Sequence, residues 1–274
     1  MGVFAMTGFT EGTPCWADAM FADLEGAKSF YGDVLGWTFG ESSSEYGNYT
    51  QAYSDGKAVA AVVPPMPGQE GEAAWCVYFA SPDTAATAEK ARAAGGQVLM
   101  EPMKVGDFGT MALVKEPSGA VLGIWQPDRH RGFEKTGEPG SYAWAELFTR
   151  DPDRADAFLK DVFPYRAQQV ADDTGEDVDF KVFTPEGAKE AVLGRLAMGE
   201  QFPPSLRPFV NVYFAVADCD ATVKKAVDRA AKLQFGPVTI PFGRFASLTD
   251  PQGAHFAVID PSTTAGEMPK LTDA

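Results

Sequence analysis

The chain has 274 residues, of which 45% are hydrophobic, and this is enough for two domains of ordinary size with buried cores. Its formal net charge of −15 excludes an extended basic surface of the kind that binds nucleic acid. Three cysteines without CxxC spacing exclude a disulfide framework and a zinc cluster, and they are typical of a reduced, cytoplasmic protein. The sequence has no long apolar run and no signal-peptide pattern, so we expect no contact with a membrane.

The first predicted unit is a strand followed by a helix and two further strands. Alternating apolar residues predict a strand over 14–21. Asp23 is a helix N-cap, and the helix that follows ends at Gly36, a residue type that tolerates the left-handed backbone. The segments after this helix are predicted as strands at 49–53 and 58–63 and as a loop rich in proline and glycine at 64–71.

The same order restarts in the second predicted unit. A strand is predicted over 75–80, and Pro82 with Asp83 begins a helix that runs to about residue 94, where two glycines end it. Three strands complete this unit, at 98–100, 109–115 and 121–126. The plan of a unit is therefore βαβββ.

The second half of the chain repeats this plan. Helices are predicted over 151–162 and 218–233, and the last strand ends near Ile259. The predicted strands before these helices cover 142–149 and 209–217. A charged stretch at 127–140 is predicted to be a linker, and residues 261–274 have too little apolar content to be more than a loose tail.

The two halves share sequence as well as element order. Residues 16–23 match residues 144–151 at an offset of 128, and residues 75–83 match residues 210–218 at an offset of 135. Because self-similarity of this kind indicates a tandem duplication, we predict four βαβββ units in an α+β fold.

Three short motifs carry a resemblance to a known family. They are the helix end at 30–37 and the turns Glu116-Pro117-Ser118-Gly119 and Asp250-Pro251-Gln252-Gly253 before each final strand. Together with the strand-Asp-helix openings they resemble the vicinal oxygen chelate superfamily, which includes glyoxalase I, bleomycin-resistance proteins and extradiol dioxygenases. The chain is most similar to a two-module bacterial subgroup that is loosely labelled glyoxalase or hydroxylase. The resemblance implies tandem glyoxalase-like domains at 12–126 and 141–260.

The resemblance also implies where a divalent metal would be held. In that superfamily His, Glu or Gln on the first, fifth and last strands bind the metal. The corresponding positions in the two halves are Trp16, Cys76, Gly123, Trp144, Asn211 and Ala257. Only Cys76 among them can act as a ligand, and a lone thiol lacks the oxygen and imidazole companions that such a site needs. We therefore predict no metal and no other cofactor.

Aromatic and acidic residues stand close to these missing ligands. Alternation puts Trp16 and Asp18 on one face of the first strand, and Trp144 and Glu146 on the same face of its counterpart. We predict that the tryptophans stack on a planar ligand and that the two acids, with raised pKa values, act as general acid or base. The other predicted ligand contacts are Cys76, Tyr78, Asn211, Tyr213 and His255. In the structural alternative, the tryptophans fill the space of the missing metal and the acids pair with arginine or backbone donors.

Three functions are compatible with these residues. The first is metal-independent binding of a small aromatic or carbonyl-bearing molecule, as in sequestration by bleomycin-resistance proteins. The second is a glyoxalase-like or hydroxylase-like enzyme that uses Asp18 or Glu146 for acid-base chemistry. The third is a degenerate pair of domains that serves as an interaction module. We expect a monomer or homodimer, with Arg195 and Arg244 either on the solvated surface or on an anionic ligand group.

Overall fold

The computed structural model of the protein describes residues 8–65, 73–171 and 178–274. Most of the loop predicted at 64–71 lies outside these ranges. Each half of the chain builds one mixed sheet and two α-helices, which confirms the predicted α+β fold class. None of the helices in the described ranges is both long enough and apolar enough to cross a bilayer.

The first half forms an eight-stranded sheet in the order β2-β3-β4-β1-β5-β8-β7-β6. Its two βαβββ units join where β1 and β5 pair antiparallel. The elements are β1 (Pro14–Met20), α1 (Leu24–Leu35), β2 (Thr38–Phe39), β3 (Thr50–Ser54), β4 (Lys57–Val63), β5 (Ala74–Ala80), α2 (Thr84–Ala93), β6 (Gln97–Val105), β7 (Gly109–Lys115) and β8 (Val121–Pro127).

The second half forms a nine-stranded sheet in the order β14-β15-β16-β13-β9-β12-β11-β10-β17. Units pair within each half, with β9 and β13 antiparallel at the centre of this sheet. The elements are β9 (Tyr142–Thr149), α3 (Pro152–Val162), β10 (Tyr165–Val170), β11 (Phe180–Pro185), β12 (Leu193–Ala197), β13 (Phe209–Ala215), α4 (Cys219–Asp228), β14 (Lys232–Ile240), β15 (Gly243–Thr249), β16 (His255–Asp260) and β17 (Leu271–Asp273).

Each of the four α-helices in the described ranges begins directly after an aspartate at which the sequence predicts a helix start, and this aspartate is its N-cap. Each carboxylate accepts a hydrogen bond from the backbone N–H three residues later, which satisfies one of the free donors of the first turn. The four caps are Asp23, Asp83, Asp151 and Asp218.

Two segments differ from the sequence prediction. Helix α4 was predicted to reach residue 233, but it ends at Asp228, because Ala230 adopts a left-handed φ of 68° that a helix cannot continue through. Residues 261–274 were predicted to be a loose tail, yet β17 pairs antiparallel with β10. Backbone hydrogen bonds to an open sheet edge need no apolar side chains, so composition did not reveal this strand.

The two halves share one core that lies between their helix-bearing faces. Helix α1 packs on α4, and α2 packs on α3. Tyr31 is fully buried between the halves, stacked on Trp37 with ring centroids 5.5 Å apart and in edge contact with Phe256. Its hydroxyl donates to Asp250 Oδ2 at 2.8 Å and accepts from Trp75 Nε1 at 2.9 Å. The opposite sheet faces therefore point away from this interface.

The two turns that carry the family resemblance connect the halves reciprocally. Ser118 Oγ, in the turn before β8, accepts from Thr149 Oγ1 at 2.7 Å just before α3. Gln252, in the turn before β16, accepts from the backbone N–H of Asp23 and donates to its carbonyl, both at 2.8 Å. Each half thus binds the start of the first helix of the other half.

Candidate functional site

The predicted site residues lie on the open face of each sheet, which we define as the face turned away from the helices. On β1, Ala17 and Ala19 are buried in the shared core, so Trp16 and Asp18 point to the open face. The cross-strand register gathers the predicted residues into two groups. We call them the first-half cluster (Trp16, Asp18, Cys76, Tyr78) and the second-half cluster (Trp144, Glu146, Asn211, Tyr213).

Asp18 is the centre of the first-half cluster. The Tyr49 hydroxyl donates to its Oδ2 at 3.1 Å, and the Tyr78 hydroxyl also hydrogen-bonds the carboxylate. Trp16 Nε1 donates to the same Tyr49 oxygen at 2.7 Å. Burial raises the pKa of Asp18 to about 7, although the two tyrosine hydrogen bonds lower it in part. This carboxyl is therefore partnered by tyrosines rather than by the arginine or backbone donors of the structural alternative.

The stretch predicted to be a linker covers the first-half cluster. Trp16 is only 3% exposed because His130 lies edge-on against its indole at 4.3 Å, and Phe133 packs on it at 5.6 Å. Phe133 is fixed in turn by its backbone N–H, which donates to Cys15 O at 2.7 Å. Burial lowers the pKa of His130 to about 4, so its imidazole is neutral at neutral pH. The indole of Trp16 is thus packed within the protein.

Glu146 holds the equivalent position in the second-half cluster. It is 8% exposed, and the Tyr213 hydroxyl donates to its Oε2 at 2.9 Å. Burial raises the pKa of Glu146 to about 7, and the Tyr213 hydrogen bond lowers it in part. A Cβ on Gly194 of β12 would meet the ring of Phe180 at 2.8 Å and Glu146 Cγ at 3.2 Å, so these two side chains lie together over the glycine.

Asn211 lies directly across the strand pair from Glu146. It is 2% exposed, and its side-chain amide hydrogen-bonds the Tyr213 oxygen. This hydrogen bond lowers the pKa of the Tyr213 hydroxyl, as expected when the amide N–H donates to the phenolic oxygen. Its Oδ1 is buried and has no hydrogen-bond partner among the described residues. A buried acceptor without a partner is costly, and this one lies beside a carboxyl on the open face.

The remaining predicted contacts of the second half, Trp144 and His255, lie on either side of the Glu146–Asn211 pair. Trp144, opposite Tyr213, is partly exposed, unlike its counterpart Trp16. His255 begins β16, with its ring 4.9 Å from that of Phe209 and its Nδ1 3.2 Å from Thr249 Oγ1. The structure therefore places His255 among aromatic and hydroxyl groups at the strand start.

The side chains at the family's ligand positions do not fit a divalent metal. A Cβ on Gly123 would meet the Tyr78 ring at 2.2 Å, so this ring fills the space where a ligand side chain on β8 would lie. Burial and the nearby Asp18 raise the pKa of the Cys76 thiol well above its usual range, which disfavours the metal-binding thiolate. Within residues 8–65, 73–171 and 178–274, no three His, Cys, Asp or Glu side chains are grouped as a metal site would require.

Two surface clefts of the second half lie apart from both clusters. The first has a volume of about 470 Å³ and is lined by Lys160, 164–166 and 184–188. The second has a volume of about 400 Å³ and is lined by Thr149, Arg150, Pro152, Val178, Asp179, 197–199 and Gln201. Neither is lined by a residue of either cluster.

The two arginines without counterparts in the first half are both in ion pairs. Arg195 is fully buried, contrary to the expected solvated surface, and its guanidinium binds both carboxylate oxygens of Asp156 at 2.8 and 3.0 Å. It lies on β12 opposite Leu147, a core residue, and therefore on the helix-bearing face. Arg244 pairs with Asp220 at 2.7 Å. Arg195 is engaged away from the open face, where it cannot meet a ligand.

Sequence reasoning missed two residues that contact the first-half cluster, Tyr49 and His130. Tyr49 stands just before β3, where no match between the halves marked it. His130 lies in the stretch that composition assigned to a linker. No sequence signal pointed to either residue, because only the path of the chain after β8 brings His130 to Trp16.

The sequence matches the Glyoxalase/Bleomycin resistance protein/Dioxygenase superfamily over residues 16–124 and 141–258. It is 37% identical over 259 residues to a Mycobacterium tuberculosis protein named "Putative glyoxylase CFP32", an alignment that covers 93% of this chain and 97% of that protein. It is also 36% identical over 269 residues to the anthracycline biosynthesis protein DauV of Streptomyces sp. strain C5, covering 93% and 95%.

Solved structures share the fold at low sequence identity. The Mn(II)-bound glyoxalase from Novosphingobium aromaticivorans has a TM-score of 0.61 at 16% identity, with 94% of this chain and 87% of that one covered. The 2,2',3-trihydroxybiphenyl 1,2-dioxygenase from Sphingomonas wittichii strain RW1 has a TM-score of 0.65 at 12% identity, with 95% and 92% covered. At these identities the likeness concerns the fold alone.

Proposed function

The chain belongs to the Glyoxalase/Bleomycin resistance protein/Dioxygenase superfamily, and we propose that it uses this fold to bind a small aromatic or carbonyl-bearing molecule without a metal. One observation carries the proposal. Beside the positions of the family's metal ligands, each half has a carboxyl whose pKa is raised by desolvation, that accepts a hydrogen bond from tyrosine and that lies next to an indole on the same face. Hydrogen bonding and stacking are the interactions that such a surface offers.

The protonation of the two carboxyls suits a carbonyl ligand. With pKa values of about 7, Asp18 and Glu146 are largely protonated in mildly acidic solution. A neutral carboxylic acid donates a hydrogen bond, whereas a carboxylate only accepts. A carbonyl oxygen at Glu146 would therefore accept from the acid, while the partly exposed Trp144 supplies an aromatic surface.

The relatives support an aromatic, carbonyl-bearing ligand class. Two of them are named for anthracycline biosynthesis: DauV, described above, and DnrV, which is from Streptomyces peucetius. Anthracyclines contain planar fused rings that bear quinone carbonyls, which is the chemistry that indoles and neutral acids bind. The name of the mycobacterial relative refers to glyoxylase instead, which is in line with the second candidate function below.

The pKa values also favour a second candidate function, an enzyme of the glyoxalase or hydroxylase kind. A general acid or base is most effective when its pKa lies near the working pH, and both carboxyls meet this condition. In that case Asp18 or Glu146 would transfer a proton, and Tyr78 or Tyr213 would stabilise an oxyanion.

The test is binding of a defined panel to the full chain after dialysis against EDTA. The panel is 2-naphthol, 1,4-naphthoquinone and 9,10-anthraquinone-2-sulfonate, followed by calorimetry and tryptophan fluorescence. We expect at least one compound to bind, and binding to weaken in the Asp18→Asn, Glu146→Gln double variant but not in the matched surface variant Asp161→Asn. If no compound binds at millimolar concentration, or if binding requires added Mn²⁺, the proposal is wrong.

The same samples separate binding from catalysis. After incubation, each compound is examined by mass spectrometry for conversion. Conversion that disappears in the double variant would establish the acid-base enzyme, whereas binding without conversion would support sequestration. Conversion that survives the double variant would show that neither carboxyl takes part in the chemistry.

A further inference from the structure

The two clusters differ in whether their polar atoms are satisfied. In the first-half cluster, Asp18 receives hydrogen bonds from Tyr49 and Tyr78, and the residue across the strand is Cys76, which has little need of a partner. In the second-half cluster, Asn211 stands at the position of Cys76, and its Oδ1 is buried without a partner among the described residues.

The orientation of the Asn211 amide follows from its neighbours. The Tyr213 hydroxyl donates its proton to Glu146 Oε2, so this hydroxyl can only accept from Asn211. The amide nitrogen therefore faces Tyr213, and the oxygen is left on the other side. No flip of the amide satisfies this oxygen while Tyr213 donates to Glu146.

One other buried side-chain polar atom in the described ranges lacks a partner, and it lies in a different setting. His130 Nε2 belongs to an imidazole that packs edge-on against Trp16 and, at 5.6 Å, against Trp125. Those rings already cover it. Asn211, in contrast, lies across the strand pair from Glu146, which is 8% exposed, and near Trp144, which is partly exposed.

We propose that the ligand binds at the second-half cluster and presents a hydrogen-bond donor on an aromatic ring, an O–H or N–H group, to Asn211 Oδ1. This inference rests on the proposed function and adds two things to it, the half that binds and the donor that is recognised. The ring would lie beside Trp144 and Phe180, which flank Glu146. The first-half cluster is then the satisfied, structural copy of the site.

Two probes that share the naphthalene ring and the ring oxygen test the donor, because only one of them carries an O–H group. 2-Naphthol carries a phenolic O–H that is protonated at pH 7, and 2-methoxynaphthalene has the same ring without the donor. We expect the wild-type chain to bind 2-naphthol about tenfold more tightly, because the methoxy compound leaves the buried acceptor unpaired. Fluorescence titration of the full chain measures both dissociation constants.

The duplication supplies matched variants. Asn211→Cys introduces the residue that the first half carries at the same position, so the strand geometry tolerates it. We expect about a tenfold weaker binding of 2-naphthol and a change of less than about twofold for 2-methoxynaphthalene. Cys219→Ala, at the start of α4 and outside both clusters, is the control that should change neither constant, and Cys76→Ala tests whether the first half binds instead.

The outcomes separate this inference from the proposed function. Equal binding of the two probes by the wild type, or 2-naphthol binding that depends on Cys76 and Asp18 rather than on Asn211, would overturn the inference while aromatic binding stands. A variant that weakens both probes equally would show that Asn211 acts through the fold and not through its oxygen. Failure of every compound in the panel would remove the proposed function and this inference together.

Discussion

Asp18 and Glu146 occupy equivalent positions on β1 and β9, yet their surroundings have diverged. Asp18 accepts from two tyrosines, whereas Glu146 accepts from Tyr213 alone among the hydrogen bonds found for it. Asp18 is partly exposed and Glu146 is 8% exposed, and desolvation raises both pKa values to about 7. The comparison indicates that the duplicated halves kept the buried acid and changed the groups that satisfy it.

The cover of the two equivalent tryptophans also differs. His130 and Phe133 bury the indole of Trp16, while Trp144 stays partly exposed. Within each cluster the cover is uneven, because Asp18 and Cys76 are partly exposed whereas Glu146, Asn211 and Tyr213 are buried. The chain after β8 therefore covers one of the two equivalent indoles and leaves the other partly exposed.

The largest expected effect concerns a buried ion pair that only the second half has. The register places Arg195 where the first half has Val62. We expect Asp156→Ala to lower the free energy of unfolding by about 3–5 kcal/mol, because it leaves a buried guanidinium incompletely paired. The double variant Arg195→Val, Asp156→Ala should recover most of this loss. Urea denaturation measures both, and a double variant no more stable than the single one would contradict the explanation.

The next effect comes from the pH dependence of the two carboxyls. Their pKa values are raised in the folded state, so between about pH 4 and pH 7 the folded chain holds protons that the unfolded chain has released. The free energy of unfolding should therefore fall as pH rises through this window, by about 1.4 kcal/mol per unit of pKa shift.

We expect Asp18→Asn and Glu146→Gln each to be more stable than wild type at pH 8, by roughly 3–4 kcal/mol, and to match it near pH 4. Thermal denaturation at the two pH values provides the measurement. Variants that are less stable than wild type at pH 8 would show that the carboxylates are better satisfied than the structure indicates.

A smaller effect separates the tyrosines of the two halves. Tyr49→Phe and Tyr213→Phe each remove a hydroxyl donor and should raise the pKa of Asp18 and Glu146, respectively, at a cost of about 1–2 kcal/mol at pH 8. NMR titration of the carboxyls follows the pKa values. Tyr53→Phe is the control, because its hydroxyl donates to Gln51 instead. We expect Glu146 to shift more than Asp18, which retains Tyr78.

The smallest effect concerns β17, which pairs with β10 at one edge of the second sheet. Deletion of residues 271–274 should lower the free energy of unfolding by less than about 1 kcal/mol, because the side chains of β17 are exposed. Urea denaturation of the shortened chain checks this value. A loss of several kcal/mol would mean that the strand supports the second sheet more than its burial indicates.

The sequence predicted those parts of the molecule that depend on local or repeated patterns. The four aspartate caps, the duplication and the alternation on β1 and β9 lead to the fold and to the two clusters. The predicted end of α4 was wrong by five residues. Ala230 adopts the left-handed backbone that stops the helix, and alanine, unlike glycine, gives no sign of this conformation in the sequence.

The partners that complete the clusters were beyond such patterns. Tyr49, next to β3, contacts Asp18 on β1 across the intervening strand β4. His130 contacts Trp16 from a segment whose composition predicts a linker. Burial of Arg195 was also missed, since charge and composition favour the surface for an arginine. Each of these contacts depends on tertiary packing between residues far apart in the chain.

The reciprocal turns have a consequence for how the two halves unfold. Ser118 holds the start of α3, Gln252 holds the start of α1, and Tyr31 joins the two through Asp250. Separating the halves would expose the shared aromatic core and break both connections at once. The duplicated halves are therefore expected to unfold in a single cooperative transition, so that neither copy persists as an autonomous domain although each has the elements of one.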